Sequence, residues 1–195
     1  QFRSGNTSAA RLSWTYDKRN NRLFPSQGFF SSATAEFAPA FLGGTYQFNR
    51  FTVNQRGYVS LPFGAVLKAQ ATLGYIQQLD PVYGLPSSEL YFLGGINTVR
   101  GYPLRTVAPS TKVGSFTDPT VASRDFAVGG DKQLVINVEL EFPLIEKVGI
   151  RGVLFYDAGN AFGRNASFFQ DTVYPNLPLG RPSMLACLHP ASTRR

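Results

Sequence analysis

Residues 132–142 read Lys-Gln-Leu-Val-Ile-Asn-Val-Glu-Leu-Glu-Phe, with apolar residues on every second position. Leu134, Ile136, Val138, Leu140 and Phe142 share one face, and Gln133, Val135, Asn137, Glu139 and Glu141 share the other. A period of two is the signature of a β-strand, and it leaves no freedom over which residues share a face. The same pattern governs 65–75, where Ala65, Leu67, Ala69, Ala71, Leu73 and Tyr75 alternate with Val66, Lys68, Gln70, Thr72 and Gly74. It returns in 51–61, with Phe51, Val53, Val59 and Leu61 set against Thr52, Asn54, Arg56, Tyr58 and Ser60. The pattern predicts six strands, over 9–18, 28–38, 46–61, 65–78, 132–143 and 149–159. Helical periodicity is hard to find. No stretch holds the 18 or more apolar residues that a membrane-spanning helix needs.

Two architectures produce this alternation. A soluble sandwich buries the apolar face, whereas a transmembrane barrel turns it to lipid and its polar face to a lumen. Three features favour the barrel. The strands approach the roughly 9–11 residues of a tilted membrane strand, against an ordinary length of about 5–6. Aromatic residues gather near strand ends (Phe24, Phe29, Phe30, Tyr46, Phe48, Tyr75, Tyr91, Phe92, Phe155, Tyr156), where membrane barrels carry girdles. Connections alternate between short ones, at 62–64 and 143–148, and a long one at 79–131 that a compact soluble domain rarely carries. Six strands cannot close a membrane barrel, whose smallest members have about eight. An open edge in lipid would leave backbone groups unpaired. The expected fold is therefore all-β, a partial antiparallel transmembrane barrel, with a soluble β-domain as the alternative.

Composition narrows the function. The net charge of +7 comes from dispersed Lys and Arg rather than a basic cluster, so no nucleic-acid partner is expected. One Cys and one His allow no intrachain disulfide and no His/Cys metal centre, and no cofactor is expected. The G-x-S-x-G, H-E-x-x-H, Walker A and G-x-G-x-x-G patterns are all missing, so the chain does not read as an enzyme.

Three stretches carry more. Asp17-Lys18-Arg19-Asn20-Asn21-Arg22-Leu23-Phe24-Pro25-Ser26-Gln27-Gly28 is a polar turn. Gly94-Gly95-Ile96-Asn97-Thr98-Val99-Arg100-Gly101-Tyr102 lies in the long connection. Phe155-Tyr156-Asp157-Ala158-Gly159-Asn160-Ala161-Phe162 sets a carboxylate in an apolar strand. In this order and spacing they resemble the BamA-like assembly factors of the eighty-five-kilodalton outer-membrane protein superfamily, over about residues 10–165. The resemblance implies a sixteen-stranded barrel, of which this segment corresponds to the second half without the last strands. It also implies that the sixth extracellular loop, here 79–131, folds into the lumen. N-terminal POTRA modules and the first barrel strands are not in the chain, and such a fragment is not expected to insert alone.

In that family the loop arginine meets acidic residues on the lumenal wall. The matching positions are Arg100 for the loop, and Glu141 and Asp157 for the wall. Gly94, Gly95 and Gly101 would let the backbone turn, with Val99 and Tyr102 packing beside it. The strand pattern agrees, since Glu141 shares a polar face with Asn137 and Glu139, and Asp157 shares parity with Arg151, Val153 and Phe155. Glu139 reads as a bystander. Plainer readings stay open: Asp157 as a strand-end turn residue, the glutamates as a solvated face, Arg100 as an exposed loop residue.

The segment 1–176 is thus expected to be barrel, and 177–195 an atypical tail without alternation, of the kind a frameshifted terminus would show. The implied role is folding and inserting other barrel proteins in a bacterial outer membrane. The implied partners are outer-membrane lipids, unfolded barrel clients and accessory lipoproteins. The alternatives are a two-partner secretion pore of the TpsB type and a passive porin.

Overall fold

The computed structural model of the chain describes residues 5–113, 124–145, 149–164, 166, 168 and 183–189. Its strands are β1 (Ala10–Asp17), β2 (Gly28–Ala38), β3 (Phe48–Ser60), β4 (Val66–Gln78), β5 (Ser110–Val113), β6 (Arg124–Ala127), β7 (Lys132–Ile145), β8 (Ile150–Phe162) and β9 (Ser183–His189). Seven of them form one antiparallel sheet in the order β1-β2-β3-β4-β7-β8-β9, and β5 and β6 pair as a separate two-stranded sheet. The sheet does not close on itself. Strands β3, β4 and β8 have 13 residues and β7 has 14, more than enough for a tilted strand to cross a bilayer.

The alternation becomes two chemically distinct faces. Leu12, Trp14, Phe51, Leu67, Leu73, Ile136 and Leu154 stand exposed on one. Among the described residues no second sheet covers them, so the face is that of a barrel meeting lipid and not of a sandwich interior. On the other face the register builds polar rows that run from strand to strand. One row holds Phe30, Arg56, Gln70, Asn137 and Asp157. The next holds Tyr58, Lys68, Glu139 and Phe155. A third, toward the other end of the sheet, holds Arg11, Glu36, Arg50 and Ile76.

The long connection lies on this polar face and shares two buried apolar clusters with it. Leu93, Val99, Val107 and Ala108 from the connection bury against Val135 and Ala161 of the wall. A second cluster joins Ala38, Phe48 and Ile76, with Leu85 and Tyr91 packed on it. The backbone of the connection is tied at Tyr91 with Gly130 and at Leu93 with Val107.

The polar turn after β1 is built by its own side chains. Arg19 Nε and Nη2 donate to the two Asp17 carboxylate oxygens at 2.9 and 2.8 Å. Asn20 Oδ1 accepts from the amides of Asn21, Ser26 and Gln27. Gly28 has φ 104°, and a Cβ there would run into the Lys18 carbonyl.

Three expectations need correction. The sheet has seven strands rather than six, because Ser183–His189, inside the stretch set apart as a tail, pairs with β8. An edge strand offers unpaired N–H and C=O groups, and pairing with them does not require alternating side chains. The connection 79–131, whose sequence carries no strong strand pattern, nonetheless contains β5 and β6, which pair antiparallel. Several aromatics assigned to a girdle are not in one. Phe48, Tyr46 and Phe155 are buried, and Tyr91 belongs to the loop lying on the polar face. The boundary placed after residue 176 lies outside the described residues.

Candidate functional site: a loop arginine on the polar wall

The Gly94–Tyr102 stretch is a tight turn closed by its own backbone. Gly95 N donates to the Tyr102 carbonyl at 3.0 Å, and Thr98 Oγ1 accepts from Gly94 N at 2.8 Å. Gly94, Gly95 and Gly101 have φ of 110°, 91° and 89°, values that L side chains rarely adopt. This turn presents Val99 and Arg100 to the wall. Val99 is fully buried over Gly159, where a Cβ would lie 3.0 Å from the valine methyl. The missing side chain at Gly159 is therefore a socket for the loop. Tyr102 packs against the cluster around Leu93 and Val99.

Arg100 engages Asp157 three times. Its backbone N–H donates to Oδ2 at 3.0 Å, Nε donates to Oδ2 at 2.6 Å, and Nη2 donates to Oδ1 at 2.7 Å. The remaining corner of the fork, Nη1, reaches Glu139 Oε1 at 2.5 Å. Beneath the guanidinium lies the Phe155 ring, 3.7 Å from its centroid. A planar, charged fork suits this arrangement because it bridges two carboxylates while stacking on an aromatic face. The bonds to Asp157, with Glu139 behind them, hold the Arg100 pKa above its ordinary value.

Asp157 has a side chain with no solvent exposure. Its fourth hydrogen bond comes from Asn137 Nδ2 at 2.8 Å, and the same amide group donates to the Thr98 carbonyl at 2.7 Å. Asn137 faces Asp157 directly across the β7–β8 ladder, so one amide ties the carboxylate and the loop backbone together. The loop tip borders a cavity of about 350 Å³ lined in part by Arg56, Lys68, Gln70 and Glu139.

Of the residues expected to form the clamp, Arg100 and Asp157 are in contact and Glu141 is not. Glu141 is held by Lys68 and by Arg151, whose Nε lies 2.5 Å from Oε1. Its place is taken by Glu139, the residue read as a bystander. The reason is reach. The Arg100 backbone is pinned at the Asn137–Asp157 row, Glu139 lies one row away, and Glu141 lies two. Each row is two residues, or roughly 7 Å of strand. The guanidinium spans one such step and not a second.

Sequence reasoning also missed Asn137 and Phe155 as members of the site. Both lay on the polar face by parity, and the pairing of 137 with 157 would have found Asn137. Phe155 was masked by its resemblance to a girdle aromatic. The arrangement holds a loop; it presents no nucleophile–base pair. Among the described residues no group of three or more His, Cys, Asp or Glu could hold a metal ion. No described helix is long and apolar enough to cross a membrane, which leaves strand crossing untouched.

Comparison with known proteins gives the same fold. The chain is 27 % identical over 166 residues to the outer membrane protein assembly factor BamA of Nitratidesulfovibrio vulgaris, covering 85 % of this chain and 20 % of that protein. It is 26 % identical over 154 residues to BamA of Neisseria meningitidis serogroup B, covering 77 % and 18 %. It is 31 % identical over 113 residues to a SAM50-like protein of Drosophila melanogaster, covering 55 % and 25 %. The chain thus spans a quarter or less of these relatives' length. The crystal structure of BamA from Haemophilus ducreyi lacking POTRA domains 1–3 superimposes with a TM-score of 0.69 at 21 % identity, over 88 % of this chain and 33 % of that one. The Omp85 superfamily domain matches residues 2–174, and the chain belongs to that superfamily.

Proposed function

We infer that this chain is part of a bacterial outer-membrane barrel that helps other barrel proteins fold and insert, and that Arg100 clamps its long loop inside the lumen for that task. The observation that carries the reading is the threefold engagement of Arg100 with the fully buried Asp157. A loop held so firmly against the lumenal wall suits a barrel whose lumen is not simply an open passage. The apolar face meets outer-membrane lipids. Unfolded client strands and accessory lipoproteins are the further partners, and the role needs no bond-making chemistry. Membership of the Omp85 superfamily and the two BamA relatives support the assembly role.

The test is a charge-swap cycle in the native gene, read as outer-membrane porin level and growth. Arg100→Glu and Asp157→Arg are each expected to lower porin assembly, and the double swap to restore part of it. Glu139→Gln is expected to have a smaller effect. Normal client assembly in all variants would refute the clamp's role in assembly. Normal assembly with altered ion conductance would favour a passive pore.

A further inference from the structure

The loop touches the wall at a second place, remote in sequence from Arg100. Arg50 on β3 points from the polar face into the start of the connection. Its Nη2 donates to the Glu89 carbonyl oxygen at 2.8 Å and pairs with the Glu89 carboxylate. Its Nη1 donates to Glu36 of β2 at 3.3 Å, and Glu36 also accepts from Arg11 of β1 at 3.2 Å. The Arg50 guanidinium lies over the buried Phe48 ring, 5.2 Å from its centroid. Arg50, Glu36 and Glu89 are 19, 12 and 23 % exposed, so water screens this network only in part.

Two residues further along, Tyr91 docks on the same wall. Its hydroxyl lies 3.3 Å from Thr52 Oγ1, and its ring sits over Gly74, where a Cβ would come within 2.7 Å of the ring. Gly74 stands on the polar face of β4, so it serves Tyr91 as Gly159 serves Val99. The two contacts share a plan: an arginine stacked on an aromatic ring bridges two carboxylates, and a wall glycine receives a loop side chain. In one the arginine comes from the loop, and in the other from the wall.

We propose that Arg50, Glu89 and the Tyr91–Gly74 contact form a second latch that positions the loop, so that the loop is held bivalently and the Arg100 clamp is one of two attachments. Between the latches the chain is only a few residues long and is braced by the Leu93–Val107 bridge. Loss of either latch therefore weakens the other, because the second attachment is intramolecular and depends on the first for its effective concentration. The proposal concerns loop docking and does not depend on which clients the barrel serves.

Hydrogen exchange followed by mass spectrometry tests this on the protein expressed from its native gene. Glu89→Gln and Gly74→Ala are each expected to speed exchange roughly tenfold in both 85–92 and 93–105, while the amides of β3 and β7 keep their protection. The double variant Arg50→Gln/Glu89→Gln is expected to exchange no faster than Arg50→Gln alone, since Arg50→Gln already removes the ion pair with Glu89. Acceleration confined to 85–92, or none, would overturn the latch. An Arg100→Met arm separates the two ideas. If it speeds 93–105 while Glu89→Gln does not, only the second latch fails; if neither does, the docked loop itself fails.

Discussion

The Arg100–Asp157 pair allows a prediction whose sign depends on burial rather than on the pair alone. Replacing Arg100 by Met removes Nε and Nη2 from Asp157 and leaves the carboxylate with the backbone N–H of residue 100 and Asn137 Nδ2. A fully buried carboxylate that loses its cation costs about 3–5 kcal/mol. Here the Asp157 side chain has no exposure while Arg100 is 24 % exposed, and two donors remain, so the lower end applies. A cost of about 3 kcal/mol is roughly a hundredfold in the docked-to-undocked ratio. Exchange of the 93–105 amides should rise by that factor. Neutralising the orphan should then help: Arg100→Met/Asp157→Asn is expected to exchange about tenfold slower than Arg100→Met alone, because an unpaired buried charge costs more than an unpaired amide. If the double variant is as fast as Arg100→Met or faster, the burial argument is wrong and the pair acts as an ordinary exposed ion pair, worth about 1 kcal/mol or less.

Three further outcomes follow from the same geometry. Glu141→Gln should leave 93–105 exchange within about twofold of the parent chain, since Glu141 is engaged by Lys68 and Arg151 and not by the loop. Gly159→Ala should undock Val99 at a cost of about 1–3 kcal/mol, seen as faster exchange of 93–105, because the new methyl meets both the valine and the Leu134 carbonyl at 3.0 Å. Phe155→Leu should weaken the clamp by about 1–2 kcal/mol through loss of the face beneath Arg100, while heat-modifiability of the folded barrel stays unchanged.

The strand pattern was legible because it depends on parity. Lys68, Gln70 and Thr72 could share a face only if Leu67, Ala69 and Ala71 took the other, and a one-residue slip would have turned the charges to lipid. The motif glycines were legible for a similar reason, since their positive φ is a local property of the turn. Arg100 and Asp157 came from resemblance and parity together. Glu139 and Glu141 were not separable in this way, because both obey the same parity, and the choice between them rests on how far along the strand the loop backbone is pinned. Phe155 and Tyr91 misled for the opposite reason. An aromatic near a strand end reads the same whether lipid or a folded-back loop covers it.

The amino-acid sequence alone determines that this chain makes long two-faced strands, that their charges belong on one side, and that a glycine-rich loop carries an arginine able to grip carboxylates. These are consequences of period two and of the cost of a charge in lipid, and they act within a few residues of each position. Only the tertiary structure decides which carboxylates that arginine meets, that Asn137 joins them, that Gly74 and Gly159 are sockets, and that Arg50 and Glu89 come together across 39 residues. Those choices are made by register between strands and by where the loop lands, and both are distances between segments that no local pattern encodes.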